Sequence, residues 1–391
     1  MTESEPEQQN GLVTCRAGLE RVIADELKEL AIEVTRIGTR AVFFRTDRAG
    51  VYRANMGLRS ALSVLLPIRR FNARNYDMLY FQSRKTFWHK MFSVDRTVRI
   101  DVNGGSSQLR NTQYVVHRVK DGIVDTFRKL CEGKRPSIDK RDPDVHVVVH
   151  LDGPRVTLCL DTSGVPLFKR GYRVEHGEAP LKEDLAAGIL ALSGWDGRMP
   201  LCDPMCGAGT FLFEGWMRAT RRAPNLERRF AFESLFSYDP ATHAAEQEAL
   251  RSGIIDPPTG FELFGCERAP AAVRVMERIH REHFPEAPLR VEEMDFRALQ
   301  TPPVGCFAVT NPPYGRRLGG GRSPDGDADS RGDLNRLYRD LGCHLRRIRQ
   351  DGGSAAVLSA WEDAARTIGL EPTRRFTLYN GAIRCDLLCF S

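Results

Sequence analysis

Hydrophobic residues change their spacing along the chain, and the first fifty residues already show two kinds of pattern. One helical face is apolar at Leu19, Val22, Ile23, Leu27 and Leu30. Short apolar runs lie on either side of it, among them 41–44. The pattern predicts strand, helix, strand and strand over 11–50, which is typical of half of a small α+β sandwich.

The region 51–165 also mixes strand and helix patterns. Runs rich in β-branched residues occupy 97–102, 145–151 and 156–161. Between the first two runs, an apolar helical face is formed by Val119, Ile123, Val124, Phe127 and Leu130. Basic side chains surround this face at Lys120, Arg128, Lys129, Lys134 and Arg135. We therefore predict a second α+β region with a basic helical surface.

From residue 181 onward, strand and helix patterns alternate, after a polar connection at 166–180. Asn380-Gly381 separates the last two strand-like runs, which is a strong hairpin signal. The strand-like runs are 199–203, 261–266, 288–293, 306–310, 354–359 and the two halves of 376–390. This order predicts an α/β domain over 181–391, with a doubly wound, mostly parallel, Rossmann-like sheet of seven strands.

Composition narrows the class of protein. No apolar run approaches the ~20 residues that cross a bilayer. Residues 1–10 are acidic and polar, unlike a signal or transit peptide, so we expect a disordered tail on a cytoplasmic protein without a membrane partner. The ten cysteines are scattered, and the C-x3-C pairs fall in apolar runs at Cys202/Cys206 and Cys385/Cys389. Buried thiols are expected there and no metal site, while the oligomeric state is left open.

The net charge of +6 is unevenly distributed. Residues 11–175 carry 30 Lys and Arg against 18 Asp and Glu, whereas residues 176–391 carry 27 against 30. A basic N-terminal half beside a near-neutral C-terminal half indicates a module that binds nucleic acid, joined to a catalytic module.

A glycine-rich string, DPMCGAGT (203–210), lies between a predicted strand and a predicted helix. Gly207 and Gly209 allow a ligand to approach the backbone, and the helix N-terminus offers free N–H groups. A dinucleotide-binding turn would have a third small residue, glycine or alanine, at the position that Leu212 occupies here. The string therefore fits that kind of site poorly. Carboxylates follow the next two strands at Glu267, suited to ribose hydroxyls, and Asp295, suited to an adenine amino group.

The string TNPPYG (310–315) follows the fourth strand and carries the most specific signal. Pro312 and Pro313 cannot continue a central strand, so the chain leaves the sheet with Asn311 at its carboxyl edge. The Asn311 side-chain oxygen and the Pro312 carbonyl can accept the two N–H groups of an exocyclic amine, and Tyr314 can stack on its base. This chemistry predicts transfer of a methyl group to a planar amino nitrogen, without choosing guanine over adenine.

Together these strings, with KRGYR (169–173) and APLKEDLAAGIL (179–190), resemble the THUMP-domain RNA methyltransferases, most closely the RlmL-like large-subunit rRNA guanine-N2 enzymes. The resemblance runs from about residue 12 to the end. It implies a ferredoxin-like segment over 11–50, a THUMP RNA-binding domain over 51–165, and a SAM-dependent methyltransferase domain. Gly122 departs from the family pattern, where Ala is usual, and we expect it to weaken its helix.

The resemblance also implies roles for individual residues. The cofactor SAM would be bound by Leu181, Glu183, Asp203, Pro204, Cys206, Gly207, Gly209, Thr210, Glu267, Asp295, Phe296 and Asn311. The target guanine would be held by Asn311, Pro312, Pro313 and Tyr314. RNA would also be contacted by Lys169, Arg170 and Arg173, in addition to the basic helical surface.

The expected function is methyl transfer from SAM to N2 of a guanine in RNA, with 23S rRNA as the expected substrate. The same chemistry on tRNA and an adenine-N6 reaction stay open as alternatives. An RNA-binding ribosome-assembly factor with an inactive methyltransferase fold is the alternative of another class.

Overall fold

The computed structural model describes residues 8–172, 181–299, 303–314 and 326–391. The chain divides into two units. The first contains the chain up to Cys15, Ile23–Leu167 and Asn225–Leu250. The second contains Arg16–Val22, Phe168–Pro224 and Arg251–Ser391.

The first unit is built on a mixed sheet of seven strands, in the order β2-β3-β1-β4-β7-β6-β5. The strands are β1 (Gln9–Cys15), β2 (Glu33–Gly38), β3 (Ala41–Thr46), β4 (Ala61–Asn72), β5 (Val98–Gly105), β6 (Val145–Asp152) and β7 (Arg155–Asp161). The helices in this part of the chain are α1 (Glu20–Glu29), α2 (Arg48–Gly57), α3 (Tyr76–Arg84) and α4 (Thr112–Leu130). Neighbouring strands are antiparallel except β5 and β6, which are parallel.

The predicted order of strand, helix, strand, strand at the N-terminus is confirmed, with two corrections to the sequence interpretation. β1 begins at Gln9, so the last two residues of the tail predicted for 1–10 belong to or adjoin the sheet, and residues 1–7 lie outside the described residues. On α4 the buried face includes Val119, Ile123 and Phe127, but Leu130 is 52% exposed. The apolar face therefore ends one turn before the helix does.

Gly122 lies where α3 and α4 approach most closely. A Cβ at this position would come within 2.8 Å of the Ser83 Cβ and 2.9 Å of the Arg84 backbone nitrogen. The Thr126 hydroxyl lies in the same contact between α3 and α4, where it donates to the carbonyls of Arg84 and Gly122, at 2.8 Å each. The glycine is therefore needed for helix packing, which corrects the expectation that it merely weakens α4.

We predict that Gly122→Ala destabilises the protein, although alanine favours a helix by about 1 kcal/mol. The added methyl would force the two helices apart, and overpacking of this kind costs about 1–3 kcal/mol. The melting midpoint should fall by about 2–4 °C. The matched control is Gly332→Ala in the long helix of the second unit, where a Cβ meets nothing within 4 Å among the described residues. That variant should melt at or above the wild-type temperature, and equal shifts in the two variants would contradict the packing argument.

The second unit contains a sheet in the order β10-β9-β8-β11-β12-β14-β13. Its strands are β8 (Leu201–Asp203), β9 (Leu263–Glu267), β10 (Leu289–Glu293), β11 (Phe307–Thr310), β12 (Ser354–Ser359), β13 (Arg374–Asn380) and β14 (Ile383–Phe390). The helices from residue 181 onward are α5 (Glu183–Leu192), α6 (Thr210–Ala219), α7 (Pro240–Ser252), α8 (Pro270–His283), α9 (Gly326–Gln350) and α10 (Ala364–Ile368). The first five strands in this order run parallel and β14 is antiparallel, which confirms the predicted fold class.

Helices cover both faces of this second sheet. Alternate strand residues point to opposite sides, so Leu201 joins the core under α5, α6 and α8, while Cys202 joins the core under α9 and α10. Both are fully buried. Among the described helices, none has the length and apolar character needed to cross a membrane.

The segment 225–250 packs within the first unit, although the sequence interpretation placed it in the domain 181–391. The Asn225 N–H donates to the Met56 carbonyl at 3.1 Å, and the Phe232 ring lies 4.4 Å from the Tyr52 ring. This correction could not follow from hydrophobic spacing, because the contacts join residues far apart in the chain.

Candidate functional site

The turn between β8 and α6 depends on two glycines with left-handed backbone angles. Gly207 has a φ of 55° and Gly209 a φ of 80°, which other residues adopt at a cost. A Cβ on Gly209 would lie 2.8 Å from the Met276 sulfur, so the turn also packs tightly against α8. A Cβ on Gly207 would meet nothing within 4 Å among the described residues. Space is therefore open above the backbone of Gly207, at the N-terminal end of α6.

Glu267 ties this turn to the neighbouring strand. One carboxylate oxygen accepts from the Gly207 N–H at 3.0 Å, and the other accepts from the Ala269 N–H at 2.8 Å. The Cys206 N–H also donates to the Cys266 carbonyl at 3.0 Å. The carboxylate thus lies beside the open space at Gly207, and it retains lone pairs that a ligand hydroxyl could use.

Asp203 is the last residue of β8, and it is buried, with 2% of its surface exposed. Burial raises the pKa of its carboxyl to about 7, and the nearby charge of Glu267 acts in the same direction. The Met205 N–H, which donates to Asp203 at 3.1 Å, and the Thr310 hydroxyl lower it. The carboxyl therefore changes its charge near neutral pH, inside the candidate site.

Two buried residues precede the glycine turn, on and just before α5. Leu181 is buried, and Glu183 is buried in the first turn of the helix, where its charge suits the helix dipole. The adjacent Asp184 is fully buried and accepts from the Arg16 guanidinium at 2.5 and 3.0 Å. This ion pair, which hydrophobic spacing did not indicate, fixes the start of α5.

Asp295 and Phe296 follow β10, as predicted. The Asp295 carboxylate accepts from the Arg297 N–H at 3.0 Å and from its guanidinium at 2.5 and 2.8 Å, and these bonds lower its pKa. The Phe296 ring is buried and meets His344 edge to face, with centroids 6.1 Å apart. Asp295 is therefore ionised and oriented, but it would share its oxygens between Arg297 and a ligand.

The Asn311-Pro312-Pro313-Tyr314 string leaves the sheet directly after β11. The Asn311 Oδ1 is buried and makes no hydrogen bond within the described part of the chain. Tyr314 is 7% exposed, and its hydroxyl accepts from the Asn380 Nδ2 at 3.0 Å. A buried acceptor without a donor costs about 1–3 kcal/mol, so its presence points to a ligand that supplies an N–H group.

Asn380 is a site residue that the sequence interpretation missed. Its Asn-Gly pair predicted only the hairpin between β13 and β14, which the structure confirms. The side chain of Asn380 reaches from this hairpin to the Tyr314 hydroxyl and holds that end of the tyrosine side chain in place. The sequence contains no periodic signal for such a contact between distant turns.

Arg170 requires a correction, since it was predicted to contact RNA. Its guanidinium is 1% exposed and lies 3.4 Å from Glu214, which also accepts from the Tyr172 hydroxyl at 3.0 Å. The Arg170 side chain is therefore one partner of a buried ion pair with Glu214 on α6, and it does not face solvent where RNA would bind. Lys169 is exposed, and Arg173 lies outside the described residues.

The other basic residues predicted to bind RNA lie on or after α4. Lys129, Lys134 and Arg135 are exposed. Lys120 and Arg128 form ion pairs with neighbouring acids, at 3.1 Å to Asp121 and 3.8 Å to Asp125. The acids partly cancel the positive charge of this surface.

The cysteine pairs are buried free thiols. Within the described ranges, the structure brings together no group of three or more His, Cys, Asp or Glu side chains that could hold a metal ion.

A mostly parallel sheet of this order, with a glycine turn after its central strand and carboxylates after the next two, defines a SAM-dependent methyltransferase domain. A family model described as RMKL-like, methyltransferase domain, matches residues 170–388. The chain belongs to this RMKL-like methyltransferase family. A THUMP domain model matches residues 73–161, and an RlmL ferredoxin-like domain model matches residues 11–65.

Individual relatives agree with this membership. The chain is 36% identical to the ribosomal RNA large subunit methyltransferase K/L of Pseudomonas putida strain W619, over 97% of its own length. It spans 52% of that relative, about half the length of the curated proteins it matches.

Two solved structures each cover 98% of the chain and are covered over 98% of their own length, at 26% identity. SMU.472, which was crystallised with S-adenosylhomocysteine, has a TM-score of 0.83. A protein of Clostridium difficile 630 that is described as a possible methylase has a TM-score of 0.87. The predicted family and the cofactor class, SAM, are confirmed.

The raised pKa of Asp203 predicts a specific dependence of stability on pH. Between the ordinary value of 3.8 and about 7, the unfolded carboxyl is ionised while the folded one keeps its proton. As the pH rises through this range, the Asp203 carboxyl lowers the free energy of unfolding by about 1.4 kcal/mol per pH unit. Above the folded pKa this group causes no further loss. Asp203→Asn removes the effect.

The measurement is the melting midpoint of variant and wild type at several pH values. The midpoint of Asp203→Asn, relative to wild type, should rise between pH 5 and 7 and stay level at higher pH. A difference that does not change with pH would show that Asp203 is ionised throughout this range.

Proposed function

We propose that this protein transfers a methyl group from SAM to the N2 amino group of a guanine in RNA, and that the RNA is large-subunit (23S) rRNA. The observation that carries the proposal is the buried Asn311 Oδ1 at the carboxyl edge of the sheet, which has no hydrogen-bond partner among the described residues. The names of the relatives support rRNA as the substrate.

SAM supplies an electrophilic methyl group on a sulfonium centre. The residues proposed to hold its methionine part surround the glycine turn: Leu181, Glu183, Asp203, Pro204, Cys206, Gly207, Gly209 and Thr210. Glu267 would accept from the ribose hydroxyls, since it already lies beside the open space at Gly207. Asp295 and Phe296 would contact the adenine, with Asn311 close to the transferred methyl group.

The target base would be oriented by the residues after β11. The Asn311 Oδ1 and the Pro312 carbonyl accept its two amino hydrogens, which stabilises positive charge as it develops on nitrogen. Pro313 keeps the backbone rigid, and Tyr314, whose hydroxyl is held by Asn380, stacks on the base. Asparagine is too weak a base to remove the proton, so the proton leaves after methyl transfer, to water or a carboxylate. A base inside a duplex would have to be flipped out.

The first unit would bind the RNA through phosphate contacts. Four exposed side chains and the half-buried Lys120 support this role on and after α4: Lys120, Arg128, Lys129, Lys134 and Arg135. Lys169 is exposed in the second unit and would add a further contact. Such contacts set the position of the RNA and carry little sequence information.

The substrate is tested by incubating the protein with labelled SAM and, separately, undermethylated 23S rRNA and tRNA. The RNA is then digested and the labelled nucleoside identified. We expect N2-methylguanosine from 23S rRNA. Label confined to tRNA, or to N6-methyladenosine, would refute the proposed substrate. Calorimetry with SAM tests the alternative that the protein is an inactive ribosome-assembly factor, because such a protein would show no heat of binding.

Asn311→Ala should abolish measurable turnover, with a loss of at least ~10²–10³-fold, because one acceptor for the amino group is removed. SAM affinity should stay near wild type. The melting midpoint should not fall, since the Oδ1 makes no hydrogen bond in the described structure that the substitution could break. Loss of SAM binding in this variant would mean that Asn311 serves the cofactor instead of the base.

A further inference from the structure

One face of the first unit's sheet contains a concavity of about 650 Å³. Residues of six strands, β1, β2, β3, β4, β6 and β7, line it, and all of them belong to the first unit. This volume falls in the range of ~300–1,000 Å³ that ligand sites usually have.

An arginine stacked on a phenylalanine forms part of this lining. The Arg36 guanidinium lies over the Phe43 ring, 3.7 Å from its centroid, and Arg36 is exposed. Stacking on the ring fixes the guanidinium plane in advance and leaves its outer face open to solvent. A planar cation prepared in this way suits a nucleic-acid base, which stacks on arginine as well as on aromatic rings.

The arginines of this face also differ from Lys120 and Arg128 on α4 in their partners. Arg36 and Arg70 form no ion pair among the described residues, and Arg155 has only Asp152 at 3.7 Å, with both side chains 68% exposed. By contrast, Lys120 and Arg128 each lie beside an acid. The concavity therefore presents cations whose charge is available to an anionic partner.

Groups able to read bases lie between these cations. Asn10, Asn72 and His150 are exposed and line the same concavity. Asparagine and histidine can donate and accept hydrogen bonds, whereas phosphate contacts need donors alone. The mixture of polar, aromatic and cationic side chains fits unpaired nucleotides better than a duplex, which exposes mainly its phosphates and a shallow groove.

We propose that this face, defined by Arg36, Phe43, Arg70 and Arg155, binds a single-stranded segment of the substrate RNA. The proposal rests on the proposed function insofar as RNA is the substrate, and it names the form of RNA that the first unit binds. One nucleotide stacks on the Arg36 guanidinium, and its neighbours place phosphates against Arg70 and Arg155.

The test measures binding of the full chain to a fluorescently labelled ten-nucleotide single-stranded RNA and to an RNA hairpin of similar charge, by anisotropy over a range of salt. Arg36→Gln combined with Arg70→Gln should weaken single-strand binding about tenfold or more. It should reduce the salt slope by about 0.7, because Arg70 is the one phosphate contact that is lost while Arg36 stacks on a base. Arg198→Gln combined with Arg366→Gln is the matched control. Both arginines are exposed in the second unit and lie beside an acid, so their loss should change the affinity less than threefold. Phe43→Leu, which keeps an apolar side chain, should weaken binding at unchanged salt slope.

Melting midpoints and SAM binding, measured in every variant, verify that each one is folded. Equal losses in the two double variants, or hairpin binding as tight as single-strand binding, would overturn the proposal. The Arg36/Arg70 double variant could instead bind naked RNA as tightly as the wild type and yet methylate ribosomal particles less. That result would assign this face to a protein partner and would also refute the proposal. Because binding is measured without methyl transfer, an inactive wild type that still binds single strands through this face would refute the proposed function alone.

Discussion

The candidate site depends on the position of β8, a strand of three residues that pairs in parallel with β9 on one side and β11 on the other. The strand order reverses at β8, so the segments that follow β8, β9 and β11 all emerge at one edge of the sheet, where open α/β sheets bind ligands. Asp203, Glu267 and Asn311 each follow or end one of these strands. Their separation in the chain is large, and parallel pairing alone brings them to the same edge.

This edge contains polar groups that the protein itself leaves poorly satisfied. Burial disfavours the charge on Asp203 and raises its pKa to about 7, and the Asn311 Oδ1 lacks a donor in the described structure. Each of these features costs free energy in the absence of ligand. The buried cores on both faces of the sheet offset that cost, so stability comes from residues outside the site. A cationic cofactor beside Asp203 and an amino group beside Asn311 would satisfy both groups.

Much of the second unit could be predicted from sequence because its signals are local. The seven strands, the glycine turn and the break at Pro312-Pro313 each follow from spacing or backbone chemistry within a few residues. The contacts that could not be predicted join distant residues. Asn380 reaches Tyr314 across 66 positions, and the burial of Arg170 depends on Glu214, 44 positions later. Gly122 was misread for the same reason, since its need for a small side chain comes from α3 and not from α4.

The number of charged residues in a segment does not show which charges are paired on the folded surface. The sequence correctly gives the first half of the chain a basic excess, but it cannot show which cations lie beside an acid. Helical spacing favours such pairs, because Asp125 and Arg128 are one turn apart on α4. On a sheet, the neighbours of a residue come from other strands, and the uncharged Phe43 is the partner that the fold provides for Arg36. Within the described residues, Arg36 and Arg70 on the sheet therefore lie away from acids, whereas Lys120 and Arg128, in the basic cluster that the sequence makes visible, each lie beside one.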